Sequence, residues 1–99
     1  DDQLRIARNL VRQLMAAYAN VEELVQIGAY ARGSDPEADV GVAYHPRINE
    51  LLTQAATERA DAAKSRDHLI RIAMEAGEHL RRLRAAQRGA AEADSGEAA

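Results

Sequence analysis

Apolar side chains recur at alternating steps of three and four residues from Leu4 to Gly28. This spacing places them on one face of an α-helix. The stripe contains Leu4, Ala7, Val11, Leu14, Tyr18, Val21, Val25 and Gly28, and Ile6, Leu10, Leu24 and Ile27 widen it. A stripe of this width is typical of a helix that packs against two neighbours. Gly28 and Gly33 then predict that the first helix ends near Gly28.

A second helix is predicted to begin at Pro36, because proline fits the first helical position. Ser34 or Asp35 can cap its free amides, and Glu37 adds negative charge at the positive end of the helix dipole. Pro46 removes a backbone donor midway, which predicts a kink or a break. The apolar face contains Val40, Tyr44, Ile48, Leu51, Leu52 and Ala55. We expect Leu14, Tyr18, Val21, Leu51 and Leu52 to be buried between the first two helices.

A third amphipathic helix is predicted up to residue 88, with Ser65 as a candidate cap. The alanine-rich link allows it to begin as early as Thr57, after a short break that follows Gln54. Its apolar face contains Leu69, Ile72, Ala73, Ala76, Leu80 and Leu83. Residues 89–99 contain no large apolar side chain and are predicted to form a disordered acidic tail.

These patterns predict an all-α fold without strands. Three helices form a small bundle, or more than three if the second helix splits at Pro46. Residues 1–54 form a protruding helical hairpin whose helices are joined by a tip of about seven residues. Residues 55–88 supply the third helix of the same domain.

Composition excludes several classes of function. The chain has no Cys, which removes disulfides, cysteine-based zinc sites and thiol nucleophiles. No apolar run approaches the roughly 18 residues of a membrane span, so we expect a soluble, cytoplasmic protein. The sequence contains no glycine-rich phosphate loop and no Cys/His cluster. We therefore expect no catalytic residues, no cofactor site and no metal site in this chain, and no enzymatic activity of the chain alone.

Two clusters of polar residues in the third helix have ordinary explanations. His68, Glu75 and His79 share a face, but ligands spread along one helix do not close a tetrahedral metal site. Arginines also line this helix, at positions 71, 81, 82, 84 and 88. Acidic neighbours, a net charge of -3 and the lack of aromatic residues there favour a solvated helix face over a nucleic-acid site.

The segment from Ala29 to Asp39 is the candidate partner-binding site. It places an aromatic residue expected to be exposed, Tyr30, beside three acidic residues and one base, for a local charge of -2. Such a surface favours a basic partner. In an alternative interpretation the acids only stabilise the start of the second helix. The candidate contact residues are Tyr30, Arg32, Asp35, Glu37 and Asp39.

The stretch LMAAYANVEELVQIGAYARGSDPEADVGVAYHPRINELLTQ, residues 14–54, resembles the C-terminal helical domain of the type III secretion ATPases and their flagellar export relatives. The densest matches are residues 27–30, residues 33–36 with Asp39, then Pro46 and residues 51–54. The likeness covers roughly residues 4–54. In two positions, Gly41 and Val42, the family commonly has Ala and Ile, and we expect the glycine to fray the helix that follows the tip.

The resemblance implies a piece of a hexameric ATPase that powers protein export at the cytoplasmic face of a bacterial secretion apparatus, flagellar or injectisome. In that family, Mg-ATP is held by a preceding domain, and the tip of the C-terminal domain faces a coiled-coil central stalk and chaperone-cargo complexes. The first residues, Asp1 and Asp2, come without an initiator Met, which agrees with a piece of a longer protein. Two alternatives are a subunit of a rotary ATP synthase and a free-standing helical adaptor.

Overall fold

The computed structural model describes residues 2–57 and 61–98. Three helices, α1 (Asp2–Gln26), α2 (Pro36–Thr57) and α3 (Ala62–Ala98), account for most of these residues, and no strand occurs among them. This confirms the all-α, three-helix prediction. Pro46 lies inside a continuous α2, so this helix is not split.

The end of α1 and the start of α2 follow from local sequence signals. Gly28 has a φ of 72°, its amide donates to the carbonyl of Val25 at 3.1 Å, and the Ala29 amide donates to that of Leu24 at 2.8 Å. This pair of bonds is the Schellman arrangement, which needs a left-handed residue at Gly28. At α2, the Asp35 carboxylate accepts the amide of residue 37 at 3.1 Å, so Asp35 rather than Ser34 is the cap.

The start of α3 differs from the prediction. The Asp61 carboxylate accepts the Ala63 amide at 2.9 Å, and the Ser65 amide donates to the Asp61 carbonyl at 3.0 Å. Asp61 is therefore the cap and Ser65 lies inside the helix, because the alanines before Ser65 extend the helix by one turn. Thr57 ends α2 instead of starting the third helix.

The far end of α3 also differs from the disordered tail predicted for residues 89–99. The helix runs to Ala98, and the side chains from 85 to 92 are all exposed. Alanine, glutamate, glutamine and arginine dominate residues 85–93, and their helix propensity favours the helix without burial.

Two clusters of buried side chains hold the three helices together. One cluster lies at the base of the bundle, where α1 and α3 begin and α2 ends, and contains Ala7, Val11, Ile48, Leu51, Ile70, Ile72 and Ala73. The other lies toward the opposite end and contains Leu14, Val40, Ala76 and Leu80. The helices α1 and α3 therefore run in the same direction and α2 runs against them.

The predicted apolar stripes are confirmed in part: Ile6, Leu24 and Ile27, which were expected to widen the first stripe, are exposed. Leu14 and Leu51 are buried, and Tyr18 and Val21 are half-buried. Leu52 is 44% exposed, so the prediction that it is buried between the first two helices was wrong. Consecutive helical residues point about 100° apart, and the core takes Leu51.

Gly41 is a point of close approach between α1 and α2. A Cβ atom at this position would lie 2.8 Å from the carbonyl oxygen of Leu14 and 3.4 Å from the amide nitrogen of Tyr18. The helix continues through Gly41, which is buried. The expected fraying at this glycine is therefore not seen, since the glycine is packed against the backbone of α1.

Candidate partner-binding tip

The tip, residues 29–39, comprises the loop after α1 and the first turn of α2. The Schellman turn at Gly28 directs the chain away from the axis of α1, and the cap at Asp35 starts α2. Gly33 has a φ of 98°, in the left-handed region that favours glycine. These three positions determine the path of the loop.

Asp39 fastens the loop to α2. Its two carboxylate oxygens accept the Gly33 amide at 3.2 and 2.9 Å, and one of them also accepts the hydroxyl of Tyr30. The carboxylate is half-buried and bonded on the inside of the tip. Asp39 is thus a positioning residue for the loop, and its charge is directed inward.

Tyr30 is half-buried, which corrects the expectation of an exposed aromatic ring. Burial, with the hydrogen bond to Asp39 and the negative charge of Asp39 and Asp35, raises the pKa of Tyr30 to about 12. Sequence reasoning missed this position because the Asp39 carboxylate, nine residues further on, draws the ring back over the loop. A cavity of about 440 Å³ lies beside it, lined by Tyr30, Arg32, Gly33, Asp39, Val42, Ala43, His79 and Leu83.

Glu37 connects all three helices. Its Oε1 atom accepts Nε2 of Gln13 on α1 at 2.7 Å and a guanidinium nitrogen of Arg84 on α3 at 2.5 Å. The negative charge of Glu37 is therefore compensated within the chain. Gln13 and Arg84 were not among the predicted site residues, and their distances of 24 and 47 positions from Glu37 give no local signal.

Arg32 and Asp35 remain as the charged, exposed groups of the tip. The Asp35 carboxylate has one bond, to the amide of residue 37, and its outer side faces solvent. The structure thus divides the five predicted contact residues into two groups. Tyr30, Glu37 and Asp39 shape the tip from within, and Arg32 and Asp35 lie on its outer surface.

Two polar residues of α3, Glu75 and His79, contact side chains of α2. Arg47 of α2 lies over the ring of Tyr44 and pairs with Glu75 at 2.5 Å, which lowers the pKa of the Glu75 carboxyl. The rings of His79 and Tyr44 are in a T-shaped arrangement, with their centroids 6.0 Å apart and their planes at 62°. In residues 2–57 and 61–98, no group of three or more His, Cys, Asp or Glu side chains is arranged to hold a metal ion.

The arginine row of α3 is partly satisfied by acids of the same chain. Arg81 donates to Glu78 at 3.0 and 2.6 Å and holds the pKa of that carboxyl below its usual range. Arg84 is bonded to Glu37. This pairing supports the interpretation of the row as a solvated, internally paired face.

Within the part of the chain that is described, no helix combines the length and the apolar character that crossing a bilayer requires.

The family model and the similar proteins that match this chain all belong to the type III secretion and flagellar ATPases. Residues 1–71 match the model of the T3SS EscN ATPase C-terminal domain, further along the chain than the predicted likeness to residue 54. The chain is 45% identical to the flagellum-specific ATP synthase of Treponema pallidum over 56 residues, which are 57% of this chain and 12% of that protein. It is 41% identical to the type 3 secretion system ATPase of Pseudomonas savastanoi pv. phaseolicola over 66 residues, or 67% of this chain and 15% of that protein.

A third relative, the flagellum-specific ATP synthase of Salmonella typhimurium, is 40% identical over 52 residues, which are 52% of this chain and 11% of that protein. No solved structure matches the chain. The matched region is thus a small part of each of these relatives, about a tenth to a seventh of their length. The family match covers more than two thirds of the chain, including both helices of the hairpin, the tip and the start of α3. The chain belongs to the family of C-terminal domains of type III secretion ATPases.

Proposed function

We propose that this chain serves as the coupling domain of a hexameric ATPase that energises type III protein secretion, and that its tip contacts a coiled-coil central stalk. Two observations support the proposal. The chain belongs to the family named for the C-terminal domain of such ATPases. Its tip is a defined surface that the bonds of Asp39 and Glu37 fasten to all three helices.

The contribution of this domain is mechanical. Mg-ATP binds to a separate domain of the longer protein, where its hydrolysis supplies the energy for export. In this chain, Glu37 bonds to α1 and α3, and Asp39 bonds to the loop. A displacement of the tip is therefore transmitted to the whole bundle, as in the rigid-body movements by which domains couple distant sites.

The tip determines the chemistry of the partner surface. Arg32 and Asp35 are exposed and of opposite charge, while Glu37 and Asp39 are bonded within the chain. The partner surface is therefore one that offers both an acidic and a basic side chain, in place of the purely basic groove that the acid count suggests. The charged flanking positions of a coiled coil present such alternating charges.

The remaining parts of the proposal concern the longer protein. We place it as a homohexamer at the cytoplasmic face of a bacterial secretion apparatus, where the same end of the domain also meets chaperone-cargo complexes. Relatives named for the flagellum and relatives named for type 3 secretion match at similar identities. The proposal therefore covers protein export by both kinds of apparatus.

The test is the affinity of this chain for the coiled-coil stalk protein of its own secretion system, measured by isothermal titration calorimetry at low salt. Asp35→Asn removes the charge and keeps the capping oxygen, because Asn is as good a cap as Asp. Arg32→Glu reverses the other exposed charge. We expect each change to weaken binding by about threefold to tenfold, and this loss to shrink as salt is raised.

The matched control is Arg5→Glu, which makes the same charge change as Arg32→Glu at the start of α1, where Arg5 pairs with Asp2. It should bind the stalk as the parent chain does. The proposal is wrong if the parent chain does not bind the stalk protein. It is also wrong if the tip variants and the Arg5 variant lose affinity equally.

A further inference from the structure

A second surface lies on the bundle, lined by residues other than those of the tip. A groove of about 730 Å³ opens where the start of α1, the end of α2 and the start of α3 meet. We call it the basal groove. Its apolar wall includes Leu4, Met15, Leu52 and Leu69. Three arginines also line it, at positions 8, 12 and 66.

Two side chains of the apolar wall, Met15 and Leu52, lie outside the core. Met15 is 42% exposed and Leu52 is 44% exposed, while Leu51 and Val11, next to them in the groove, belong to the buried cluster of the base. Exposed apolar side chains that share a concave site and are rimmed by charged residues are typical of surfaces that bind a partner. The wall therefore has the character of a binding surface.

The charged side chains of residues 2–57 and 61–98 that line the basal groove are all arginines. No acidic side chain lines it in the described part of the chain, although the whole chain has a net charge of -3. Arg8 and Arg12 lie one turn apart on α1, are exposed, and form no ion pair with another described residue. Arg66 pairs with its neighbour Asp67 at 3.6 Å. The groove thus combines an apolar wall with three positively charged side chains.

We propose that the basal groove binds an amphipathic helix of a partner protein, one whose apolar stripe is flanked by acidic residues. Apolar residues at helical spacing would contact Met15 and Leu52, as in other complexes in which a helix lies in a groove. Carboxylates on the flanks would bond to Arg8 and Arg12, since guanidinium groups bind carboxylates in a forked geometry. This surface is separate from the proposed stalk contact, because no residue of the tip, 29–39, lines it.

The probe is a pair of synthetic helical peptides of about 16 residues, long enough for four turns. Both have leucines at helical spacing, and the flanking positions are glutamate in one peptide and lysine in the other. Binding to the ¹⁵N-labelled chain is followed by NMR titration. We expect saturable binding of the glutamate peptide, with shifts at the amides around Arg8 to Met15, and at least about tenfold weaker binding of the lysine peptide.

Variants identify the groups responsible. Arg8→Glu with Arg12→Glu should weaken binding of the glutamate peptide by at least about tenfold, and Leu52→Gln should weaken it without a change in circular dichroism. The control is Arg82→Glu with Arg88→Glu, two exposed positions of α3 that do not line the groove. This pair changes the net charge equally and should leave the affinity within about twofold.

Three results would overturn the proposal. The first is the absence of saturable binding of the glutamate peptide, and the second is equal binding of the two peptides. The third is self-association of the chain, seen by analytical ultracentrifugation, that the Arg8 and Arg12 changes abolish. That result would assign the groove to a second copy of the chain. Since the stalk experiment depends on Arg32 and Asp35, failure of either proposal is recognised independently of the other.

Discussion

Gly41 of α2 packs directly against the main chain of Leu14 in α1, with the Leu14 carbonyl oxygen 2.8 Å from the place that a Cβ atom of residue 41 would occupy. Real Cβ atoms essentially never approach a backbone oxygen so closely. The two helices can keep this separation only with glycine at position 41, and the separation determines how α2 and the tip sit on α1.

The first prediction concerns this contact. Gly41→Ala gains about 1 kcal/mol of helix propensity but forces the two backbones apart. Overpacking of this kind typically costs about 1 to 3 kcal/mol. We expect the net effect to be a lower melting temperature, measured by circular dichroism at 222 nm. Gly89→Ala is the control, because nothing lies within 4 Å of its Cβ position, and it should leave the melting temperature equal or higher. A Gly41→Ala chain as stable as the parent would contradict the prediction.

The second prediction compares two leucines of different exposure. Leu14 is 1% exposed, and its truncation to alanine should cost about 2 to 5 kcal/mol of unfolding free energy. Leu52 is 44% exposed, and the same truncation should cost under about 1 kcal/mol. Urea denaturation of the two variants measures both values. An equal loss of unfolding free energy in the two variants would mean that Leu52 belongs to the core, as Leu14 does.

The third prediction concerns alkaline pH. The pKa of Tyr30 in the folded chain is about 12, above the ordinary value of 10 that applies to the unfolded chain. The neutral phenol is therefore favoured by folding. Its contribution to stability is complete below about pH 10 and is lost as the pH rises through 12. NMR titration of ¹³C-labelled tyrosine should show this late transition.

Asp39→Asn is the test of the cause. It removes the negative charge near the hydroxyl, so the pKa of Tyr30 should fall toward 10 while burial keeps it above that value. An unchanged titration of Tyr30 in this variant would exclude Asp39 as its hydrogen-bond partner.

The fourth prediction concerns the bond between Glu37 and Arg84. A double-mutant cycle with Glu37→Gln and Arg84→Gln should give a coupling of about 0.2 to 1 kcal/mol, the range for partly exposed ion pairs. The coupling should decrease in about 1 M salt. The same cycle on Glu37 and Arg88, which form no ion pair, is the control and should give a coupling near zero. A value near zero for Glu37 with Arg84 would mean that the pair does not fasten α3 to the tip.

The fifth prediction is that this chain alone does not bind Mg-ATP. Gly28 and Gly33 have the spacing of the phosphate-loop glycines, but Ser34 and Asp35 stand where lysine and serine or threonine are required. The Asp35 carboxylate also accepts a hydrogen bond from the amide of residue 37 at the start of α2, so this amide is not free to bind a phosphate. Calorimetric titration should show no saturable binding tighter than about 1 mM.

Much of the fold could be predicted because its signals are local. The 3.6-residue period fixes which face of each helix is buried, and the positions of Gly28 and Pro36 mark the ends of two helices. The exposed state of Leu52 was not predictable in this way, because both Leu51 and Leu52 fit a broad stripe. Only the packing of α3 against α2 decides which of them is buried.

The location of the candidate site could be predicted from the sequence, but the orientation of its side chains could not. All five predicted contact residues lie at one end of the hairpin, since they are close in sequence. Which of them face outward depends on Arg84 and Gln13, whose approach to Glu37 is set by the packing of three helices. The position of Tyr30 likewise depends on an acceptor on the next helix. Long-range partners of this kind leave no pattern in a single sequence.

The fastening of the tip loop by Asp39 has a consequence for the kinetics of encounter. A partner that approaches the tip meets a loop already held to α2 through Tyr30 and Gly33. No slow rearrangement of the loop then precedes the contact, and the observed association rate should rise in proportion to partner concentration without reaching a plateau. Loss of the Asp39 carboxylate would introduce such a plateau, because the rate would then be limited by how often the loop closes.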